Sequence, residues 1–143
     1  MEKELGLILK RLSKKIQSAV IVDKTGLPIM SFSPEARKPI NHEMEMMIAG
    51  IAAAVLTLGE KTSMVLDHGA FKQIIIKSQR GSTIILDAGN AIIIAILASK
   101  VGFDAALFSL KRAAKEITTL KLPANATAPK PAETSDIFIP EIN

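Results

Sequence analysis

Two segments of this chain, "AVIV" at Ala19–Val22 and "AIIIAIL" at Ala91–Leu97, are apolar at odd and even positions alike. Successive side chains of a strand point to opposite faces, so both faces of these strands are expected to be buried. A sheet that contains them needs helices on each side, and one amphipathic helix cannot supply both. Three helical segments are available. Leu5, Ile8, Leu9, Leu12 and Ile16 recur at helical spacing and predict an amphipathic helix over residues 2–17. Asn41 is placed to cap a second helix, with Glu43 and Glu45 near the positive end of its dipole. A third runs from about Asp104 to Leu120, with Leu107, Leu110, Ala114 and Ile117 inward. Its Lys111, Arg112, Lys115 and Glu116 face water.

Between the helices, "SAVIVD" and "LPIMSF" read as strands joined by "KTG", where Gly26 can take a positive φ. "SPEARKPI" is a loop, because Pro34 and Pro39 each lack a backbone donor. "TSMVLDHG", from Thr62, reads either as a short strand or as an extended connection. "FKQIIIK", "STIILD" and "AIIIAILA" form a meander with reversals at Gly81 and Gly89. The order is α-β-β-α-β-β-β-α, an α/β chain of the α+β type. From Lys121 onward Pro, Ala, Thr and charge dominate without periodicity. This divides the chain into a domain over 1–120 and a tail over 121–143 that is expected to be disordered. The tail ends in "DIFIPEI", either an incidental cluster or a short segment able to join a sheet edge or groove.

The second helix, "HEMEMMIAGIAAAVLTLGEK", has almost no polar side. On a wheel, Met44, Met47, Ile48, Ile51, Val55 and Leu58 share one arc, whose large side chains are expected against the sheet. The opposite arc holds Met46, Ala49, Gly50, Ala53 and Thr57, small for the most part and uncharged. Small residues let two backbones approach closely. The simplest partner for that arc is the same helix of a second copy, since two-fold dimers are the commonest oligomers. The competing arrangement covers it with residues 62–68 of its own chain.

Composition narrows the chemistry. Without Trp or Tyr, and with five Phe in 143 residues, the core must be aliphatic. The lack of cysteine rules out disulfides and thiolate zinc sites, fits a reducing cytosol, and sets the expectation of a cytoplasmic location. The N-terminus lacks the order of a signal peptide. The strongest apolar run, Ile48–Gly59, falls short of the roughly 20 residues of a bilayer span, so no membrane insertion is expected. Net charge is +4, and Lys3, Lys10, Arg11, Lys14 and Lys15 lie on the first helix. Such a face could attract nucleic acid or anionic lipid, but it reads first as a solvated helix face with no aromatic platform for bases. His42 and His68 are the sole histidines, and no Ser/His/Asp set, phosphate loop or metal spacing appears. Asp23 and Asp87 read as turn formers rather than calcium ligands, and Arg80 as a solvated turn residue. The pair Asp67–His68 has nothing nearby to orient or attack. No catalytic residue, metal site or cofactor is expected, and nothing supports an enzyme.

"AVIVDKTGLPIMSF", "IAGIAAAVLTLGEKT", "GAFKQIIIKSQRGSTIILDAGNAIIIAIL" and "SLKRAAKEI", in that order, resemble the Roadblock family over about residues 5–120. That family includes the Roadblock-type dynein light chains and prokaryotic partners of Ras-like GTPases. The resemblance implies a five-stranded antiparallel sheet, with the middle helix on one face and the terminal helices on the other. It also implies a homodimer through residues 43–60 and the strand Phe71–Lys77, in which Phe71, Gln73 and Ile75 join Met46, Ala49, Gly50, Ala53 and Thr57 at the interface. Pairing of these edge strands would give one ten-stranded sheet and hide an aggregation-prone edge. The chain departs from relatives where "KVGFDAA" enters the last helix in place of an asparagine-leucine-glycine turn. By resemblance the function is non-enzymatic regulation or scaffolding of a small Ras-like GTPase. Glu45, Met46, Glu60 and Lys61 are placed by geometry at the rim of its docking platform. A structural adaptor and a small-ligand sensor are the alternatives.

Overall fold

The computed structural model describes residues 2–98 and 102–120. Along the chain run α1 (Glu2–Lys10), β1 (Ser18–Asp23), β2 (Pro28–Phe32), α2 (His42–Val65), β3 (Gln73–Lys77), β4 (Ser82–Asp87), β5 (Ala91–Leu97) and α3 (Phe103–Thr119). The strands form one antiparallel sheet in the order β2-β1-β5-β4-β3. The two strands that are apolar on both faces, β1 and β5, lie side by side within it, paired Ser18↔Ile96 through Asp23↔Ala91. The expected tail and the "DIFIPEI" cluster lie outside the described residues.

The pleat divides the core into two. Ala19, Ile21, Ile84, Leu86, Ile93, Ala95 and Leu97 meet Leu5, Ile8 and Leu9 of α1 and Ala106, Leu110 and Ile117 of α3. Val20, Val22, Ile85, Ile92 and Ile94 turn the other way, onto Ile48, Ala49, Ala52 and Leu56 of α2. Pairs such as Ile21↔Ile93 and Ile85↔Ile94 keep neighbouring strands in step. A slip of one residue would exchange the two cores strand by strand.

Local chemistry sets the ends of the elements. The β1–β2 hairpin closes around Asp23, whose Oδ1 accepts from Thr25 N (2.9 Å) and Leu27 N (3.1 Å), while Gly26 sits at φ 97°. Asn41 caps α2 as expected, its side chain accepting from Met44 N at 2.8 Å. α1 ends at Lys10, earlier than its periodicity suggests. There Arg11 and Leu12 switch to the carbonyls of Ile8 and Leu9, three residues back. Ser13 then diverts the chain, its N–H donating to Ser109 Oγ and its hydroxyl accepting from Lys15 N. Leu12 and Ile16 are buried all the same, so their spacing reported burial beyond the helix itself.

The stretch after Lys61 is neither strand nor extended connection, because α2 continues to Val65. The hydroxyls of Thr57 and Thr62 donate to the carbonyls of Ala53 and Leu58, so these β-branched residues stay satisfied inside the helix. Asp67, at φ 55°, ends it, with His68 N bonded back to Ser63 O (2.8 Å) and Asp67 N to Met64 O (3.1 Å). This is the Schellman pattern, with an aspartate where glycine is usual.

Gly59 controls how closely α2 approaches the β3 side of the sheet. A Cβ there would lie 2.5 Å from the Phe71 ring and 3.0 Å from Ile74 Cδ1. We expect Gly59→Leu to lower unfolding free energy by about 1–3 kcal/mol through overpacking, measured by chemical denaturation.

Candidate functional site

α2 sits on the sheet in an orientation that its wheel did not suggest. The row Ile48, Ala52 and Leu56 faces β1 and β5, with Ala49 and the flanking Val55 beside it. This row lies between the large and small arcs, about a quarter turn from each. Of the large arc expected on the sheet, Ile48 and Val55 pack there, and the expectation is corrected for the other four. Met44, Met47, Ile51 and Leu58 are exposed, Leu58 at 65%. Sorting by size separated two flanks of the helix, whereas burial follows closeness of approach, which alanines at 49 and 52 permit.

The result is an apolar outer surface. Met44, Met46, Met47, Ile51, Leu58, Met64, Val65 and Leu66 are eight of the thirteen large apolar side chains left exposed among the described residues. Apolar surface concentrated in this way is uncommon on a monomer that works alone. By length and composition α2 could also cross a membrane, unlike the shorter run read from sequence, yet a third of its apolar window is buried within the domain. Its apolar character on the inner side is accounted for by the sheet.

The expected pairing residues divide into three groups. Met46, Gly50 and Thr57 are exposed, and a Cβ on Gly50 would meet nothing within 4 Å. Ala53 is half-buried near the β1–β2 turn, where a Cβ on Gly26 would lie 3.0 Å from its own Cβ. Ala49 is 0% exposed in the core of its own domain, so it offers no surface to a second chain. On the strand side, Phe71 is half-buried beneath Gly59, Gln73 is exposed, and Ile75 packs half-buried on the α1–α3 side. β3 is an edge strand, hydrogen-bonded on one side to β4.

Of the four rim positions, Met46 and Glu60 are open. Glu45 is engaged within the domain. Its carboxylate accepts from Ser31 Oγ and lies 3.3 Å from His42 Nδ1, while Ser31 Oγ accepts from Ile40 N at 3.2 Å. Ser31 thereby ties the first turn of α2 to β2. Lys61 is 6% exposed and engaged with a neighbouring group, so it does not stand at an open rim. The residues missed by the sequence reading are Met47, Ile51 and Leu58 as outer-face residues. Their signal was present in the lack of charge between Glu45 and Glu60.

Elsewhere the chemistry is sparse. Among the described residues no three metal-ligating side chains converge. Asp67, His68 and Arg80 are exposed in loops. An open cleft of about 490 Å³ lies beside the start of α3, lined by Lys77, Ser78, Ser82, Phe103 and Asp104. Lys77 Nζ rests 4.7 Å from the centroid of the Phe103 ring.

A five-stranded antiparallel sheet between one helix and two, with an apolar helix face as its main surface feature, defines an α+β domain of the Roadblock type. The Roadblock/LC7 domain model matches residues 5–98, and the chain belongs to that family. Two uncharacterized proteins of Methanocaldococcus jannaschii are each 28% identical over 105 residues, covering 73% of this chain and 87% of theirs. Among solved structures, Myxococcus xanthus MglB superposes with a TM-score of 0.70 at 16% identity, covering 81% of this chain and 86% of its own. A Roadblock/LC7 domain from Streptomyces avermitilis gives 0.68 at 13% identity, with 82% and 93% covered. These two likenesses concern the fold.

Ser31 gives a direct test of how α2 is anchored. Ser31→Ala leaves the Glu45 carboxylate and Ile40 N without this partner at a buried position. It should cost about 1–3 kcal/mol of unfolding free energy, read from denaturant midpoints.

Proposed function

We propose that this chain is a non-enzymatic homodimeric regulator or scaffold that binds a small Ras-like GTPase in the cytoplasm and biases its nucleotide state. The observation that carries the reading is the apolar outer face of α2 beside the open edge of β3. Family membership supports it, as does an MglB solved in a tetrameric arrangement, which is 14% identical with a TM-score of 0.66.

In this reading the flank Met46–Gly50–Ala53–Thr57 meets its symmetry mate. An exposed glycine in mid-helix costs roughly 0.5–1 kcal/mol relative to alanine, and close approach of a second helix gives it a purpose. β3 pairs with β3 of the partner, giving ten strands. Pairing α2 with α2 and β3 with β3 sets the two-fold axis normal to the sheet, so both outer helix faces point the same way. Met47, Ile51 and Leu58 then form the docking platform. Binding one nucleotide state more tightly than the other shifts the GTPase toward that state without a catalytic side chain.

Light scattering tests the dimer. The wild-type chain should have dimer mass at low micromolar concentration, and Gly50→Leu should move it toward monomer. An unchanged dimer mass in the variant would remove this flank from the interface. Capture of candidate Ras-like GTPases loaded with GDP or a GTP analogue tests the partner. Nucleotide-dependent capture, weakened about tenfold or more by Leu58→Glu, supports regulation. Equal capture of both forms supports a structural adaptor, and no capture of any candidate counts against both.

A further inference from the structure

We infer that the α1–α3 layer, on the side of the sheet away from α2, is a docking face for an anionic membrane surface. In sequence the basic first helix is one solvated face among others. The fold adds a second basic row beside it. Arg11 pairs with Glu116 at 2.9 Å and Ser13 N donates to Ser109 Oγ at 2.9 Å, which sets α1 and its following turn against α3. Along α1, Lys3, Leu7 and Lys10 are exposed, followed by Lys14 and Lys15 in the turn. Along α3, Phe108, Lys111, Arg112 and Lys115 share one outward face at spacings of three and four.

Charge is concentrated here. Residues 2–17 and 103–119 hold eight Lys and Arg against four Asp and Glu, and the rest of the chain holds ten of each, so this layer carries the entire net charge of +4. Each basic row also exposes one large apolar side chain, Leu7 at 51% and Phe108 at 64%. The Arg112 guanidinium lies 6.0 Å from the centroid of the Phe108 ring. Cations flanking bulky apolar groups match a headgroup region, where lysines meet phosphates and the apolar groups leave water. A nucleic-acid backbone would satisfy the cations but give an exposed leucine nothing. The occupant that uses both features is a lipid surface. If the chain dimerises through α2 and β3, two such layers lie on the same side and double the footprint, leaving the α2 platform facing away from the membrane.

The experiment is co-sedimentation of the full chain with phosphatidylcholine vesicles, with and without phosphatidylglycerol, and gel shift with a DNA duplex as the rival. We expect sedimentation with the anionic vesicles alone and release by added salt. Lys111→Gln and Lys115→Gln should each weaken partitioning about fivefold, and Phe108→Ala about five- to tenfold. Circular dichroism should match wild type, because all three side chains are exposed. Binding to neither vesicle, equal binding to both, or binding to DNA with vesicle partitioning absent would each overturn the assignment. Partitioning unaffected by Phe108→Ala would overturn the role of the apolar anchor. None of these readouts depends on a GTPase.

Discussion

The rest of the structure follows from the pairing of β1 with β5. Both strands are apolar on both faces, and in register they present Ala19, Ile21, Ile93 and Ala95 to one side and Val20, Val22, Ile92 and Ile94 to the other. Neither face can be left to water, so the domain must be three layers deep. α1 and α3 close one side and α2 closes the other. β2 and β3, with less apolar surface to hide, take the edges.

α2 carries an unequal burden, because it alone covers its side of the sheet and still keeps large apolar groups outside. Fully burying a Leu, Ile or Met contributes about 1.5–3 kcal/mol. Met47, Ile51 and Leu58 are half or more exposed, so roughly 3–5 kcal/mol per chain remains to be gained from covering them. Association itself costs on the order of 4–15 kcal/mol. In the proposed dimer Met47, Ile51 and Leu58 lie outside the seam, so this gain belongs to a docked partner rather than to the two-fold assembly. Backbone pairing along the free edge of β3 is what would make a two-fold assembly favourable, and the edge lies beside the helix because Gly59 lets α2 settle over Phe71 and Ile74.

Much of this was legible in the linear chain. Apolar runs bounded by turn residues located all five strands, Asn41 marked the start of α2, and Asp23 and Asp87 end their strands with side chains that accept from the turns that follow, Asp87 also being paired to Lys24 at 3.0 Å. The element ends were less legible, because they depend on competition between side chain and backbone. Ser13 finds a partner in Ser109, nearly a hundred residues away, and so stops α1 early. Thr57 and Thr62 bond back to their own helix, and α2 runs on. Of the candidate site, the apolar character of α2 was plain, but its rotation was not. Ala49, grouped with a pairing surface by its size, belongs to the core, and Glu45, grouped with a rim, is held by Ser31.

The sequence by itself determined the order of elements and the need for helices on both sides of the sheet, because helical spacing, turn residues and strands apolar on both faces are local patterns, while the family came from the resemblance of whole segments. The tertiary structure decided which third of α2 faces the sheet. A helix that is apolar all round carries no internal mark of its inner side, and only the fit of Ile48, Ala52 and Leu56 against β1 and β5 selects one. It also decided that the cations of α1 and of α3 share one surface. That surface arises because Leu5, Ile8 and Leu9 of α1 and Leu110 and Ile117 of α3 share one core on the same side of the sheet, with Arg11–Glu116 and Ser13–Ser109 bridging the turn after α1 to α3.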